Sequence, residues 1–181
     1  RLVGSEMCIR DRAFSVPIEA CGMTVVRVEL EYTEIQAHRG GMGLWPENTI
    51  MAMKNAIDLG VDMLELDLMI SKDSLVVVSH EEIMSSEYVT KPDGTRVTKA
   101  EEASLVLFGM PYDDIRRYDT GLAGDSRYPA RVRIAACKPL LSELLDATEA
   151  HIREKGGRNL RYNIEIKASK GKEQRCMAPD Y

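Results

Sequence analysis

The chain has 181 residues, of which 44% are hydrophobic, so it can bury one sizeable core and gives no basis for several domains. Its 24 Lys and Arg and 29 Asp and Glu give a net charge of −5 that is spread along the sequence, which excludes the basic stripe typical of nucleic-acid-binding proteins. No apolar run approaches the roughly 20 residues needed to span a bilayer. We expect a soluble domain, cytoplasmic or, if an export signal preceded residue 1, periplasmic or extracellular, with an unspecified oligomeric state.

The first 34 residues show no sustained hydrophobic period. Residues 1–12 resemble translated adapter sequence more than protein selected to fold, and residues 24–30 are β-prone, which fits a lead-in strand and a poorly ordered start equally well. The closing residues 176–181 look like an interruption. We therefore assign residues 1–34 to a leader with a non-native start, and residues 35–181 to a partial domain.

Regular elements are legible from residue 35 onward. A short strand over residues 35–41 runs into glycines, and a helix follows with apolar residues at Ile50, Met53 and Ala56 and a stop at Gly60. Residues 63–70 alternate as a strand, which places Glu65 and Asp67 on the same face. Residues 71–74 form a predicted turn into a strand over residues 75–79, an arrangement that favours a hairpin over a parallel crossover.

A long polar connection spans residues 81–138, with a short helix predicted near residues 112–118. A connection of this kind is more often a functional loop or a lid than a packed element. Leucines at helical spacing over residues 140–152 predict an amphipathic helix that Pro139 opens and Gly156 closes. A strand over residues 162–167 follows, and the order of the elements indicates an α/β fold.

Titratable side chains lie within or at the ends of the most apolar strands: His38, Glu65, Asp67, His80, Glu165 and Lys167. Burying them without partners would be costly, so we expect them to contact one another or a metal ion. The three carboxylates are hard oxygen ligands of the kind that Mg²⁺ or Ca²⁺ prefers. The two histidines, with an ordinary pKa of about 6.5, suit a general acid and base, and Arg39 and Lys167 suit a phosphate. Together these residues favour phosphodiester cleavage.

Each signal alone has an ordinary interpretation. Glu65 and Asp67 could form the solvent face of an edge strand, and Glu165 with Lys167 could be an exposed ion pair. Glu47 could orient a ligand of the site, or it could simply be an acidic residue that opens a helix. His151 lies on the polar face of the leucine-rich helix and is expected to be solvated.

The combination resembles the glycerophosphodiester phosphodiesterase family, of the phospholipase-C-like phosphodiesterase superfamily. The matching motifs occur in the family's order from residue 35 to residue 167: His38-Arg39-Gly40, Pro46-Glu47-Asn48-Thr49, Glu65 with Asp67, Ser71-Lys72-Asp73, the strand ending at His80, and Asn163 to Lys167. Glu81 stands where many members have Asp.

The resemblance implies a TIM (β/α)₈ barrel that hydrolyses glycerophosphodiesters to sn-glycerol 3-phosphate and an alcohol, with the site at the carboxyl ends of the strands. It assigns the roles of acid and base to His38 and His80, the metal ligands to Glu65, Asp67 and Glu165, and the phosphate contacts to Arg39 and Lys167. In the family, a neighbouring hydroxyl of the substrate attacks first. The small-molecule substrate and a divalent metal, Mg²⁺ or Ca²⁺, are the only partners implied.

A full barrel needs about 250 residues, so this chain is expected to hold roughly the first half of one. Two alternatives remain open. One is a phospholipase of the same superfamily that acts on intact lipid, which the polar connection argues against. The other is an inactive truncated fragment whose unpaired strand edges would promote aggregation or pairing with another chain.

Overall fold

The computed structural model describes residues 7–20, 23–157 and 159–168, with side chains from residue 34 onward. In chain order, the strands and helices are β1 (Met7–Ala20), β2 (Met23–Ala37), α1 (Ile50–Asp58), β3 (Met63–Ile70), β4 (Val76–Val78), α2 (Tyr112–Ile115), α3 (Leu141–Glu154) and β5 (Arg161–Ile166). In the described part of the chain, no helix is long and apolar enough to cross a membrane.

Strand β3 is the centre of the sheet. It pairs in parallel with β5 along its length, from Met63 opposite Arg161 to Leu68 opposite Ile166, and in parallel with the end of β2 at Gln36 and Ala37. Helix α1 connects β2 to β3, and α3 precedes β5, so the described elements repeat the strand–helix–strand order of an α/β fold.

The predicted hairpin is confirmed, because β4 runs antiparallel to β3 with Leu68 opposite Val78. Ser71 organises the turn: its hydroxyl donates to the Asp73 carboxylate at 2.6 Å and accepts the Leu75 amide hydrogen at 3.1 Å. Ser74 supplies the left-handed residue of the turn, with φ of 63°. Residues 24–30, for which a lead-in strand and a poorly ordered start were both left open, form part of β2, which pairs antiparallel with β1. The assignment of residues 1–34 to a leader stays a prediction, and residues 1–6 and 176–181 lie outside the described residues.

One hydrophobic cluster joins the sheet to both long helices. The fully buried members contributed by the predicted apolar positions are Met53 and Ala56 of α1, Leu64 and Leu66 of β3, Val78 of β4, and Leu144 of α3. Alternation along β3 turns the leucines toward the helices and Glu65 and Asp67 toward the opposite face. These two carboxylates are nevertheless 5% and 0% exposed, so both faces of β3 are buried.

The connection between β4 and α3 was predicted to be a functional loop or a lid rather than a packed element, and this prediction is wrong. It forms a second buried cluster with Met69 and Val77 of the sheet, built from residues including Tyr88, Val89, Leu107 and Ile115. Isolated bridges such as Ile83 with Val106, rather than long strands, hold the segment together. The apolar residues therefore lack the regular spacing that would have revealed a core in the sequence. The short helix predicted near residues 112–118 is present as α2.

His151 differs from the expected solvated residue. Its Nε2 lies 2.9 Å from Oδ1 of Asp58, and its side chain is only 14% exposed. The partner comes from α1, which packs against α3, so the contact depends on tertiary structure and has no signal in the sequence around His151.

Candidate active site

The turn after β2 places His38 and Arg39 over β3. Arg39 has a left-handed backbone, with φ of 51°, and its amide donates to Oε2 of Glu65 at 2.6 Å. Gly40 is also left-handed, with φ of 79°, and a Cβ there would lie 2.8 Å from Cβ of Ala52. Glycine is needed because α1 packs directly against this turn. The turn is thereby tied both to the helix and to a carboxylate of the site.

The loop before α1 holds Asp67. Thr49 caps the helix, since its hydroxyl accepts the Ala52 amide hydrogen. The preceding residue, Asn48, donates from Nδ2 to Oδ2 of Asp67 at 2.9 Å and accepts the Asp67 amide hydrogen at 3.3 Å. Asn48 lies in the recognised Pro-Glu-Asn-Thr motif but was not predicted to contact a site residue.

Three carboxylates converge across β3 and β5. Asp67 lies directly opposite Glu165 in the parallel register, and Glu65 shares its face of β3. One oxygen of each of the three carboxylates lies within 4.8 Å of the other two. Burial raises the pKa of Glu65, and the nearby Asp67 carboxylate raises it further.

The donor set fits a hard divalent cation. All three groups offer carboxylate oxygens, which Mg²⁺ and Ca²⁺ prefer. Among the described residues, Oδ1 of Asp67 is buried and accepts no hydrogen bond, and its nearest cation is the Lys167 ammonium at 3.1 Å. A divalent ion could take the place of that cation at this oxygen. The three predicted ligands are therefore brought together in a form that can hold a metal ion.

Lys167 is a cation beside this cluster. Its Nζ lies 2.5 Å from Oε1 of Glu165, as a hydrogen bond, and 3.1 Å from Oδ1 of Asp67, as an ion pair outside hydrogen-bond geometry. Partial burial lowers the pKa of Lys167, but its contacts with Glu165 and Asp67 outweigh this effect and raise the pKa overall. Lys167 therefore lies with the carboxylates, as its position in the last strand predicted.

A buried chain of ion pairs links Arg39 to the long connection. Nη1 of Arg39 lies 3.0 Å from Oε1 of Glu47, whose Oε2 lies 3.2 Å from Nη2 of Arg131. Arg131 also contacts Asp125 at 3.4 Å and donates from Nε to the carbonyl of Met42 at 2.6 Å. Glu47 therefore bridges two arginines, whereas an acidic residue that only opens a helix would face solvent. Arg131 was missed because nothing in the pattern around it distinguishes it from a surface arginine.

The two predicted histidines lie at the ends of β2 and β4. Nε2 of His38 is 3.9 Å from Oε2 of Glu65, and Nδ1 of His80 is 3.0 Å from Oε1 of Glu81. The contact with His80 lowers the pKa of Glu81. The histidine side chains are 27% and 30% exposed, so both rings are accessible from solvent.

A lysine that the sequence analysis missed lies behind His80. Lys138 is 5% exposed, and its Nζ donates to the hydroxyl of Ser79 at 2.8 Å. Burial lowers the pKa of Lys138 to about 8. The one available signal was a lysine placed directly before the proline that opens an amphipathic helix, where an apolar residue would be ordinary.

The family model of the glycerophosphoryl diester phosphodiesterase family matches residues 38–178. The chain belongs to this family. Its similarity to a glycerophosphodiester phosphodiesterase of Caldanaerobacter subterraneus subsp. tengcongensis is 32% identity over 136 residues, which are 75% of this chain and 46% of the relative. Lysophospholipase D GDPD1 of Homo sapiens is 56% identical over 46 residues, which are 25% of this chain and 15% of the relative.

A solved structure supports the glycerophosphoryl diester phosphodiesterase fold. A protein of Silicibacter pomeroyi DSS-3 assigned to these phosphodiesterases superposes with a TM-score of 0.65 and 28% identity, over 73% of this chain and 44% of that protein. The predicted α/β class and the family's TIM barrel are therefore confirmed, with the chain forming part of the barrel. It spans less than half the length of these relatives.

Proposed function

We propose that the chain carries the catalytic residues of a metal-assisted phosphodiesterase that hydrolyses glycerophosphodiesters to sn-glycerol 3-phosphate and an alcohol. The observation that carries this proposal is the convergence of Glu65, Asp67 and Glu165 within 4.8 Å, with His38 beside Glu65. Family membership and the name of the Caldanaerobacter relative support the choice of a glycerophosphodiester as substrate.

The three carboxylates would hold Mg²⁺ or Ca²⁺, which when bound supplies positive charge to a phosphoryl oxygen. Arg39 and Lys167 are proposed to donate to the remaining phosphate oxygens, because a guanidinium and an ammonium both bind phosphate well. Glu47 holds the guanidinium of Arg39 from the side of the first loop. We therefore propose that Glu47 positions Arg39, which agrees with the sequence-based expectation that it orients a group of the site.

His38 and His80 are proposed as the general acid and base. One imidazole removes the proton from the attacking hydroxyl, either a glycerol hydroxyl of the substrate or water, and the other protonates the departing alcohol oxygen. The contact between Nδ1 of His80 and Glu81 favours a proton on Nδ1, which leaves Nε2 to exchange a proton with the substrate.

The test is release of sn-glycerol 3-phosphate from glycerophosphocholine by this chain, with Mg²⁺, with Ca²⁺ and with EDTA. We expect metal-dependent release that falls at least about a hundredfold in His38→Ala and in His80→Ala. His151→Ala is the matched control, because His151 pairs with Asp58 between two helices and contacts no carboxylate of the site. Retained activity in either of the first two variants contradicts the roles of the histidines. No release by the unmodified chain shows that it is an inactive fragment.

A lysophospholipid is a second candidate substrate. Its support is the match to lysophospholipase D GDPD1 and a group of exposed apolar side chains near the first loop: Leu44, Leu122, Val132 and Ile134. The amide of Val132 donates to the carbonyl of Leu44 at 2.9 Å, and Leu44 is three residues from Glu47. Faster choline release from lysophosphatidylcholine than from glycerophosphocholine favours this candidate, and the reverse order favours the first.

A further inference from the structure

Lys138 is a buried cation that the proposed chemistry does not use. It is 5% exposed at the end of the long connection, immediately before α3. On one side, its carbonyl lies 3.2 Å from the hydroxyl of Tyr112, whose single hydrogen is shared with a Glu143 carboxylate oxygen at 3.0 Å. The next carbonyl, that of Pro139, accepts the Val78 amide hydrogen at 2.9 Å. The backbone next to Lys138 is thus hydrogen-bonded to the last residue of β4, two residues before His80.

The ammonium of Lys138 reaches the His80 segment through one hydroxyl. Nζ donates to Oγ of Ser79 at 2.8 Å, and Oγ in turn donates to the carbonyl of Glu81 at 2.8 Å. The Ser79 amide donates to the carbonyl of Asp67 at 2.9 Å. Ser79 is therefore fixed from two sides, by the strand that carries a predicted metal ligand and by Lys138.

The same segment contains the pair formed by His80 and Glu81. Because the Ser79 hydroxyl holds the backbone of Glu81, it also restricts where the Glu81 carboxylate meets Nδ1 of His80. Groups that orient a metal-bound histidine commonly change metal affinity or activity by about ten- to hundredfold when they are removed, and we expect an effect of similar size on His80. Lys138 acts one step further back, on the segment that carries both residues.

We propose that Lys138 is a positioning residue that holds the segment Ser79-His80-Glu81, and so the ring of His80, through the hydroxyl of Ser79. The proposal rests on the proposed function for its effect on catalysis, and on the contacts of Ser79 for its effect on local order. Lys138 does not contact the predicted metal ligands or the phosphate donors in the described structure.

The charge of Lys138 is maintained by groups on several elements. The carboxylates of Glu47, Glu81 and Asp67 favour the ammonium, Arg39 disfavours it, and the ring of Tyr88 lies 5.6 Å from Nζ. Burial is the largest influence and lowers the pKa to about 8. Lys138 is therefore mainly an ammonium at neutral pH, and as the pH rises through this value it becomes a neutral amine, which keeps two hydrogens and is a weaker donor to Ser79.

The catalytic test compares Lys138→Met with Lys138→Arg and with the control Lys99→Met, whose lysine side chain is 85% exposed. We expect Lys138→Met to lower kcat by about ten- to hundredfold with KM changed less than about twofold. The pH profile of kcat should fall above about pH 8 in the unmodified chain. Lys138→Met should lack this fall, and Lys138→Arg should retain activity and shift the fall to higher pH. A fall near pH 8 that persists in Lys138→Met overturns the proposal.

Hydrogen exchange at residues 79–83 tests the positioning without any activity. We expect faster exchange in Lys138→Met and in Ser79→Ala, and no change in Lys99→Met. If the unmodified chain releases no product, it is an inactive fragment, and this measurement still decides the role of Lys138. If Lys138→Met does not fold, Ser79→Ala decides it. Unchanged exchange in the folded variants overturns the proposal.

Discussion

At the scale of a single residue, Asn48 connects the loop before α1 to strand β3. Its φ is 55°, a left-handed conformation that asparagine tolerates better than most residues. In that conformation its side chain exchanges two hydrogen bonds with Asp67, one with the carboxylate and one with the amide. The orientation of a buried carboxylate therefore depends on the backbone of a loop nineteen residues earlier.

Replacing Asn48 separates the two contributions. Asn48→Ala loses the bonds and keeps the strained backbone, so we expect a decrease of about 2–4 kcal/mol in the free energy of unfolding. Asn48→Gly loses the same bonds but accepts the backbone, and it should lose about 1 kcal/mol less. Urea denaturation measures both values. Equal losses would show that the conformation of residue 48 contributes little.

Glu65 makes the stability of the site depend on pH. Burial raises its pKa, so the folded state binds the proton more tightly than the unfolded state does. The stability gained from this proton is complete below the ordinary pKa of the carboxyl group, and it is lost as the pH rises through the raised value.

Glu65→Gln removes this dependence. We expect the variant to equal the unmodified chain at pH 4 and to be more stable at pH 7, in urea denaturation with EDTA present. Glu154→Gln is a control on an exposed carboxylate, since that side chain is 75% exposed. A variant that is no more stable at pH 7 contradicts the assignment.

At the scale of elements, the turn that carries His38 and Arg39 depends on its contact with α1. Gly40 and Gly41 are both left-handed, with φ of 79° and 87°. A Cβ at residue 40 would lie 2.8 Å from Cβ of Ala52, which is closer than van der Waals contact allows. A Cβ at residue 41 would have no atom within 4 Å.

This difference provides a matched pair of substitutions. Gly41→Ala should cost about 1–2 kcal/mol from backbone strain alone. Gly40→Ala adds a steric conflict with α1, so we expect about 2–4 kcal/mol in total, measured by thermal or urea unfolding. Similar losses in the two variants would mean that α1 moves away from the turn without cost.

The elements of the site were predictable to different extents. The strands that carry Glu65, Asp67 and Glu165 show alternation, and a parallel register brings their polar faces together, so the carboxylate cluster follows from the sequence. Arg131 and Lys138 come from a connection with no regular period. Their partners, Glu47 and Ser79, lie 84 and 59 residues away, and no local pattern indicates such contacts. For Glu47, the sequence allowed both a role in orienting the site and an ordinary acidic residue at a helix start. Only its contacts with Arg39 and Arg131 distinguish the two.

The whole molecule presents an open side at β5. Within the described residues, β5 pairs with β3 alone, and its Ile164 and Ile166 are 40% and 74% exposed. An exposed apolar strand with a free edge readily pairs with another chain. By alternation, Ile164 and Ile166 share the face of Tyr162, which packs against the sheet–helix cluster, so the apolar face of β5 is covered at its start and exposed at its end.

A charge on β5 should improve the solution behaviour of the chain. We expect Ile166→Lys to increase the monomer fraction in light scattering relative to the unmodified chain, because the lysine disfavours pairing between exposed strands. Leu59→Lys tests whether any surface charge has the same effect, since Leu59 is 63% exposed at the end of α1. An equal increase in both variants would remove β5 as the cause.

Lys167 gives the carboxylate cluster an internal counterion. Three like charges within 4.8 Å would repel one another during folding, and the ammonium between Asp67 and Glu165 offsets part of that repulsion. We therefore expect the chain's own lysine to offset repulsion among the acidic residues as folding brings them together. If the cluster binds a divalent ion as proposed, that ion would replace the lysine as the nearest cation, so metal binding would be an exchange of cations rather than an addition of charge.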